Sequence, residues 1–182
     1  STGSARDRPR PVTAQRTPPP HSARHCKQTS APPARDAPQT NPGPAGWGVV
    51  LIAADGVTET DHYGFIGPGT NQIAELTAAL EGLSRVPVGA AVELVSDSQY
   101  VLKGLSEWRA GWERKGYRNS KGEQVANLAL WKQLFAAADA RKVTTRWVRG
   151  HNGDVYNERA DALANKALAT RSSSPRCRGW RS

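Results

Sequence analysis

Two hydrophobic periods alternate between residues 41 and 170, and a fold built on only one of them could not accommodate both. Residues 47–54 (WGVVLIAA) are an apolar, β-branched run, and Asp55-Gly56 after them is a hairpin turn signal. The more polar stretch 57–66 reads as a second strand. Ile73, Leu76, Leu80 and Leu83 recur at helical spacing, which predicts an amphipathic helix over about 71–85. Residues 91–96 (AVELVS) read as a short strand leading into a helix from about Asp97. A further helix over 125–138 carries Leu128, Trp131, Leu134 and Phe135 on one side. Residues 142–148 (KVTTRWV) read as a strand. The last helix, 157–169, turns Ala160, Leu163, Ala164, Ala167 and Leu168 to the core. A hairpin followed by β–α alternation predicts an α/β domain with a mixed sheet.

The flanks differ from this middle. Residues 1–40 hold eight of the thirteen prolines, and Val12 is their only large apolar residue. Such a segment buries too little surface to offset its ordering entropy, so disorder is expected there. Residues 171–182 (RSSSPRCRGWRS) read as a second disordered, basic tail, leaving 41–170 as the folded domain. The net charge of +9 lies wholly in these tails: +5 in 1–40 and +4 in 171–182, with 14 basic and 14 acidic residues between. Within the neutral middle, 103–121 has six Lys/Arg against Glu107 and Glu113, a local basic cluster suited to nucleic acid. Cys26 and Cys177 are too few for a disulfide framework or a multi-cysteine zinc site. No run approaches a membrane span, and no secretory h-region is visible.

Three carboxylates stand out by position. Glu75 lies near the start of the first helix, Asp97 directly follows AVELVS, and Asp161 sits in the last helix, ten residues after His151. Sites in open α/β sheets collect at the carboxyl ends of strands, where Asp97 is. Carboxylates from three elements can hold Mg²⁺, which takes oxygen ligands. Each residue also has a plainer role open to it. Asp97 could cap the helix that follows, and Glu75 could favour a helix N-terminus. Asp161 could pair with an arginine, and His151 could be an ordinary loop residue.

Five local patterns occur in one order: NPGPAGWG (41–48), TNQIAEL (70–76), SDSQYV (96–101), RGHNGD (149–154) and NERADALA (157–164). Together they resemble ribonuclease H type 1, over about 41–169. WRAGWERKGYRN (108–119) resembles the basic, Trp-rich protrusion of the bacterial enzymes, which grips the DNA strand of a hybrid.

The resemblance implies a ribonuclease H-like fold with a five-stranded mixed sheet flanked by helices. It implies an endoribonuclease that cuts the RNA strand of RNA–DNA hybrids at a four-carboxylate, two-metal site, leaving a 5′-phosphate. Mg²⁺ is the expected metal, with Mn²⁺ as a substitute. Glu75, Asp97 and Asp161 would be metal ligands, and His151 would assist proton transfer or product release. Asn41, Asn71, Gln72 and Gln99 would contact the RNA strand, whose 2′-hydroxyls mark it off from DNA. Thr70 and Ser98 would hold a DNA phosphate; Gly111 stands where the family usually has the third member of that pocket, an Asn. Trp108, Arg109, Trp112, Arg114 and Lys115, with Lys103 and Arg118, would supply the salt-sensitive grip. The expected partner is an RNA–DNA hybrid, and the expected state a cytoplasmic monomer.

One departure is large. Six residues before Asn41, where the family's first strand carries a catalytic Asp, stands Arg35. Asp36 is one residue out of register and lacks the following Gly. In this fold that strand is the sheet's centre, and Pro32 and Pro33 cannot donate to a central ladder. The sequence therefore predicts three of the four carboxylates, impaired metal binding and catalysis, and a missing central strand. Two other accounts compete with an impaired enzyme. One is a catalytically dead hybrid-binding module. The other is the non-functional product of a frameshifted or mis-started gene, since an Arg/Pro/Ala/Ser run is what a shifted GC-rich frame yields.

Overall fold

The computed structural model describes residues 42–150 and 153–175, together with the backbone of 21–30. The elements in chain order are β1 (His21–Ser30), β2 (Gly43–Ile52), β3 (Glu59–Gly69), α1 (Asn71–Ser84), β4 (Ala91–Ser96) and α2 (Gln99–Lys103). A π-helical turn (Gly104–Trp108) follows, then α3 (Arg109–Arg114), α4 (Leu128–Asp139), β5 (Lys142–Trp147) and α5 (Val155–Thr170). The strands form one five-stranded sheet in the order β3-β2-β1-β4-β5. The pairs β2–β3 and β1–β2 are antiparallel, and β1–β4 and β4–β5 are parallel. The expected α/β class and mixed sheet are both present.

The β2–β3 hairpin turns at Asp55-Gly56 as expected. The Asp55 carboxylate accepts from the amides of Val57 and Thr58, both at 2.8 Å, and Gly56 takes a positive φ of 72°. Along β2 the side chains alternate between two layers. Trp47, Val49 and Leu51 join Leu76, Leu83, Leu94, Trp131 and Leu134 under α1 and α4. Val50 and Ile52 pack on Ala160 and Leu163 of α5. Gly48 faces α5 so closely that a Cβ there would lie 2.2 Å from the Ala160 carbonyl oxygen. The absent side chain is what lets α5 settle on the sheet.

The centre of the sheet corrects the sequence expectation. A missing first strand was expected, but residues 21–30 occupy the central position as β1; the rest of 1–40, expected to be disordered, lies outside the described residues. Ala23 pairs with Leu51 on one side and Leu94 on the other. The ladder is a backbone interaction, so a polar sequence can form it when two buried edges need a partner. The proline objection also has an answer. Between Pro20 and Pro32 the chain has no proline, and β1 lies wholly inside that window.

Helix α2 begins at Gln99, and the capping role left open for Asp97 is taken by Ser98, its hydroxyl accepting from the Val101 amide at 3.3 Å. Helix α4 starts three residues later than expected, after Asn127 in a left-handed conformation (φ 58°).

His62, on β3, is only 4% exposed, and its Nδ1 has no hydrogen-bond partner among the described residues. Burial holds its pKa below the ordinary 6.5, and the Arg85 charge adds to this against Asp61 and Glu81. The unfolded chain therefore binds a proton that the folded chain resists. Stability should be full above pH 6.5 and fall as the pH drops from there through the folded value. Urea denaturation at pH 7.5 and pH 5.5 should show this loss, and His62→Phe should reduce it.

Candidate active site

Glu75 and Asp97 reach one place from two elements. Helix α1 is fixed at its start by Thr70, whose hydroxyl accepts from the Ile73 amide at 3.2 Å. Glu75 lies one turn further on, half-buried. Strand β4 ends at Ser96, and Asp97 follows at the strand's carboxyl end. Ser98 joins the two: its hydroxyl donates to Glu75 Oε2 at 2.6 Å, while its amide donates to the Ser96 hydroxyl at 3.1 Å. Burial raises the Glu75 pKa, the Ser98 bond opposes this, and the Asp97 charge raises it further. Both carboxylates thus lie within electrostatic reach of each other in a partly desolvated pocket.

The end of β5 and the residues after it meet Asp97 from the other side. The Trp147 indole N–H donates to the Asp97 carbonyl at 3.3 Å, and the Val148 amide donates to the Ser96 carbonyl at 3.0 Å. Gly150 lies against the Asp97 carboxylate: a Cβ on it would sit 2.7 Å from Oδ2. Trp147 and Gly150 were not singled out in the sequence. The signal for them is the run RWVRGH, where a large aromatic and a glycine follow a strand that ends level with Asp97.

Asp161 lies half-buried on α5, one turn after Asn157. Asn157 is 1% exposed, and neither polar atom of its side chain has a partner among the described residues. No group of three His, Cys, Asp or Glu side chains that could hold a metal occurs among the described residues. The structure therefore joins Glu75 with Asp97 and does not gather Asp161 into a three-residue cluster with them. Asn41, His151, Arg35 and Asp36 lie outside the described residues. Strand β1 (HSARHCKQTS) contains neither Asp nor Glu, so the sheet's central strand brings no carboxylate.

The expected nucleic-acid contacts divide into two groups. Asn71 and Gln72 in the first turn of α1, Gln99 at the start of α2, and Arg114 and Lys115 at the end of α3 are exposed. Trp108 and Trp112 are half-buried in an aromatic chain. Trp108 stands 6.0 Å from Tyr100 and 5.7 Å from Trp112, and Trp112 stands 5.1 Å from the fully buried Trp131. Arg109 turns inward to α4. It forms a two-pronged pair with Asp139 at 2.6 and 2.7 Å, a third bond to Glu113 at 2.8 Å, and lies 4.7 Å over the Phe135 ring. These partners raise its pKa and fix its fork in place. Arg109 therefore ties the basic arm to α4, and Arg114 and Lys115, with Arg118, are cations that the arm presents to solvent.

Comparison with known proteins bears on this geometry. A family model described as RNase H matches residues 36–169. The chain is 45% identical over 130 residues to a ribonuclease H of Cupriavidus metallidurans, covering 71% of this chain and 88% of the relative. It is 48% identical over 130 residues to a ribonuclease H of Paracidovorax citrulli, covering 70% and 86%. Among solved structures, LC9-RNase H1, described as a type 1 RNase H with the type 2 active-site motif, superposes with a TM-score of 0.73. The two are 26% identical over 88% of this chain and 77% of that one.

The contrast between Arg109 and Arg114 is directly measurable. Arg109→Ala should lower unfolding stability by about 1–2 kcal/mol, summing a bidentate pair and a cation–π contact. Arg114→Ala should stay within about 0.5 kcal/mol of the parent. Chemical denaturation of the two variants checks both values.

Proposed function

The chain belongs to the RNase H family, and from that premise we propose that it is an endoribonuclease hydrolysing the RNA strand of RNA–DNA hybrids. The observation that carries the reading is the meeting of Glu75 and Asp97 at the end of β4. The family depends on divalent metal. The donor set here fits one: two carboxylates in a partly buried pocket, where burial and mutual charge disfavour ionisation of Glu75 and a hard cation would reverse that. Mg²⁺ is the metal we assign, with Mn²⁺ able to substitute. Such ions supply an activated water and stabilise the leaving oxygen of the phosphodiester.

The chain's own residues then divide the work. Glu75 and Asp97 are the ligands that meet; Asp161 on α5, which is not clustered with them, is the third carboxylate we assign by the family resemblance. Ser98 orients Glu75, Trp147 holds the backbone of Asp97, and the missing side chain of Gly150 leaves room for its carboxylate. His151, the next residue in sequence after Gly150, is the one we assign by the family resemblance to move a proton or help product leave. Asn41, Asn71, Gln72 and Gln99 read the RNA strand through its 2′-hydroxyls. Thr70 holds a DNA phosphate; Ser98, expected beside it in that pocket, is buried and donates its hydroxyl hydrogen to Glu75. Trp108, Trp112, Arg114 and Lys115 present the arm to the DNA strand. Grip through the arm should weaken as salt rises. No helix among the described residues is long and apolar enough to cross a membrane. A cytoplasmic monomer is the setting that suits this reading.

One observation favours a second reading. Because β1 carries no Asp or Glu, the site lacks a carboxylate from the central strand, and the chain then binds hybrids without cutting them. Cleavage of an end-labelled hybrid with Mg²⁺ separates the two. The protein should come from a host lacking its own ribonuclease H. We expect slow, metal-dependent cleavage of the RNA strand, with Asp97→Asn slower by at least about 100-fold. Hybrid binding without cleavage would leave the binding module. Equal rates in parent and variant would overturn the site assignment.

A further inference from the structure

Strand β5 is an edge of the sheet, and Thr144, Thr145, Arg146 and Trp147 are all exposed. A groove runs between this strand and the α2–α3 arm. Its half nearer Asp97 has a volume of about 460 Å³ and is lined by Gln99, Lys103, Thr145 and Trp147, among others. Its far half, about 470 Å³, reaches Arg109, Arg141 and Lys142. Ser106 and Thr145 line both halves, so the two form one depression. Six residues of strand make it about 20 Å long.

The charges in the groove are unevenly committed. Arg109 is matched by Asp139 and Glu113, and the Arg141 guanidinium donates to the Val86 and Ala137 carbonyls, each at 2.7 Å. Lys103 and Lys142 remain exposed, one in each half. Glu107 also lines the half nearer Asp97. Trp147, 50% exposed, stands at the end next to Asp97. An exposed indole followed by spaced cations is how proteins hold single strands, whose unpaired bases have π-faces to stack.

We propose that this groove binds an unpaired, single-stranded flank of the nucleic acid whose hybrid part lies at Glu75 and Asp97. The inference rests on the hybrid-binding reading given above. Trp147 stacks the first unpaired base, and Lys103 and Lys142 contact the phosphates beyond it. The groove thus favours hybrids at a junction with single strand over fully paired ones.

Fluorescence anisotropy in EDTA, at one fixed salt concentration, tests this. The probes are a blunt hybrid and four versions carrying a six-nucleotide single-stranded extension, one at each strand end. One extension should tighten binding at least about fivefold over the blunt hybrid. Lys142→Glu should abolish most of that gain, and Thr145→Trp, which fills the groove where its halves meet, should do the same. Neither residue belongs to the active site or the arm, so both variants should bind the blunt hybrid like the parent. Equal affinity for blunt and extended hybrids would overturn the groove and leave the proposed function standing. A gain that survives in both variants would also overturn it. Failure of the parent to bind even the blunt hybrid would remove the proposed function, and the groove reading with it.

Discussion

Strands β2 and β4 each turn a backbone edge toward the middle of the sheet, and only a strand between them can pair both. Val49, Val50, Leu94 and Val95 are fully buried, so the peptide groups of those strands have no water to turn to. Residues 21–30 meet this demand with backbone alone, antiparallel to β2 and parallel to β4. The position of β4 follows from that pairing, and the position of Asp97 follows from β4. Helices α1 and α5 then close on the two faces, α5 drawn in by the missing side chain of Gly48.

The site inherits both the strength and the weakness of this arrangement. Glu75 and Asp97 are brought together from well-packed elements, with Ser98, Trp147 and Gly150 around them. Rigid support of this kind is what a catalytic carboxylate pair needs. The same central strand that completes the sheet brings no acidic side chain to it. The chain thus has the family's architecture, and the missing strand-borne carboxylate separates the enzyme reading from the binding one.

Much of this was legible in the sequence because local chemistry and tertiary context agree there. Asp55-Gly56 makes the hairpin, Ile73 to Leu83 make one face of α1, and AVELVS delivers Asp97 to a strand end. The exceptions have physical causes. Strand β1 is hidden because its ladder is made by backbone, while sequence patterns report side chains. Its one visible trace is the proline-free window after Pro20. Asp97 and Ser98 are both good helix caps, and only the structure shows that Ser98 caps while Asp97 stays with the site. Arg109 sits in a basic cluster, but its partners Asp139 and Phe135 are distant in sequence, so its inward turn could not be read from spacing.

The claim on which the rest depends is that residues 21–30 are the central strand of a folded sheet. Amide hydrogen exchange followed residue by residue tests it most directly. The account predicts that the amides of residues 22–29 exchange only through global unfolding, as slowly as those of Val49 and Val95. Rapid exchange across 22–29 while Val49 and Val95 stay protected would contradict it. The sheet would then be closed by something other than β1.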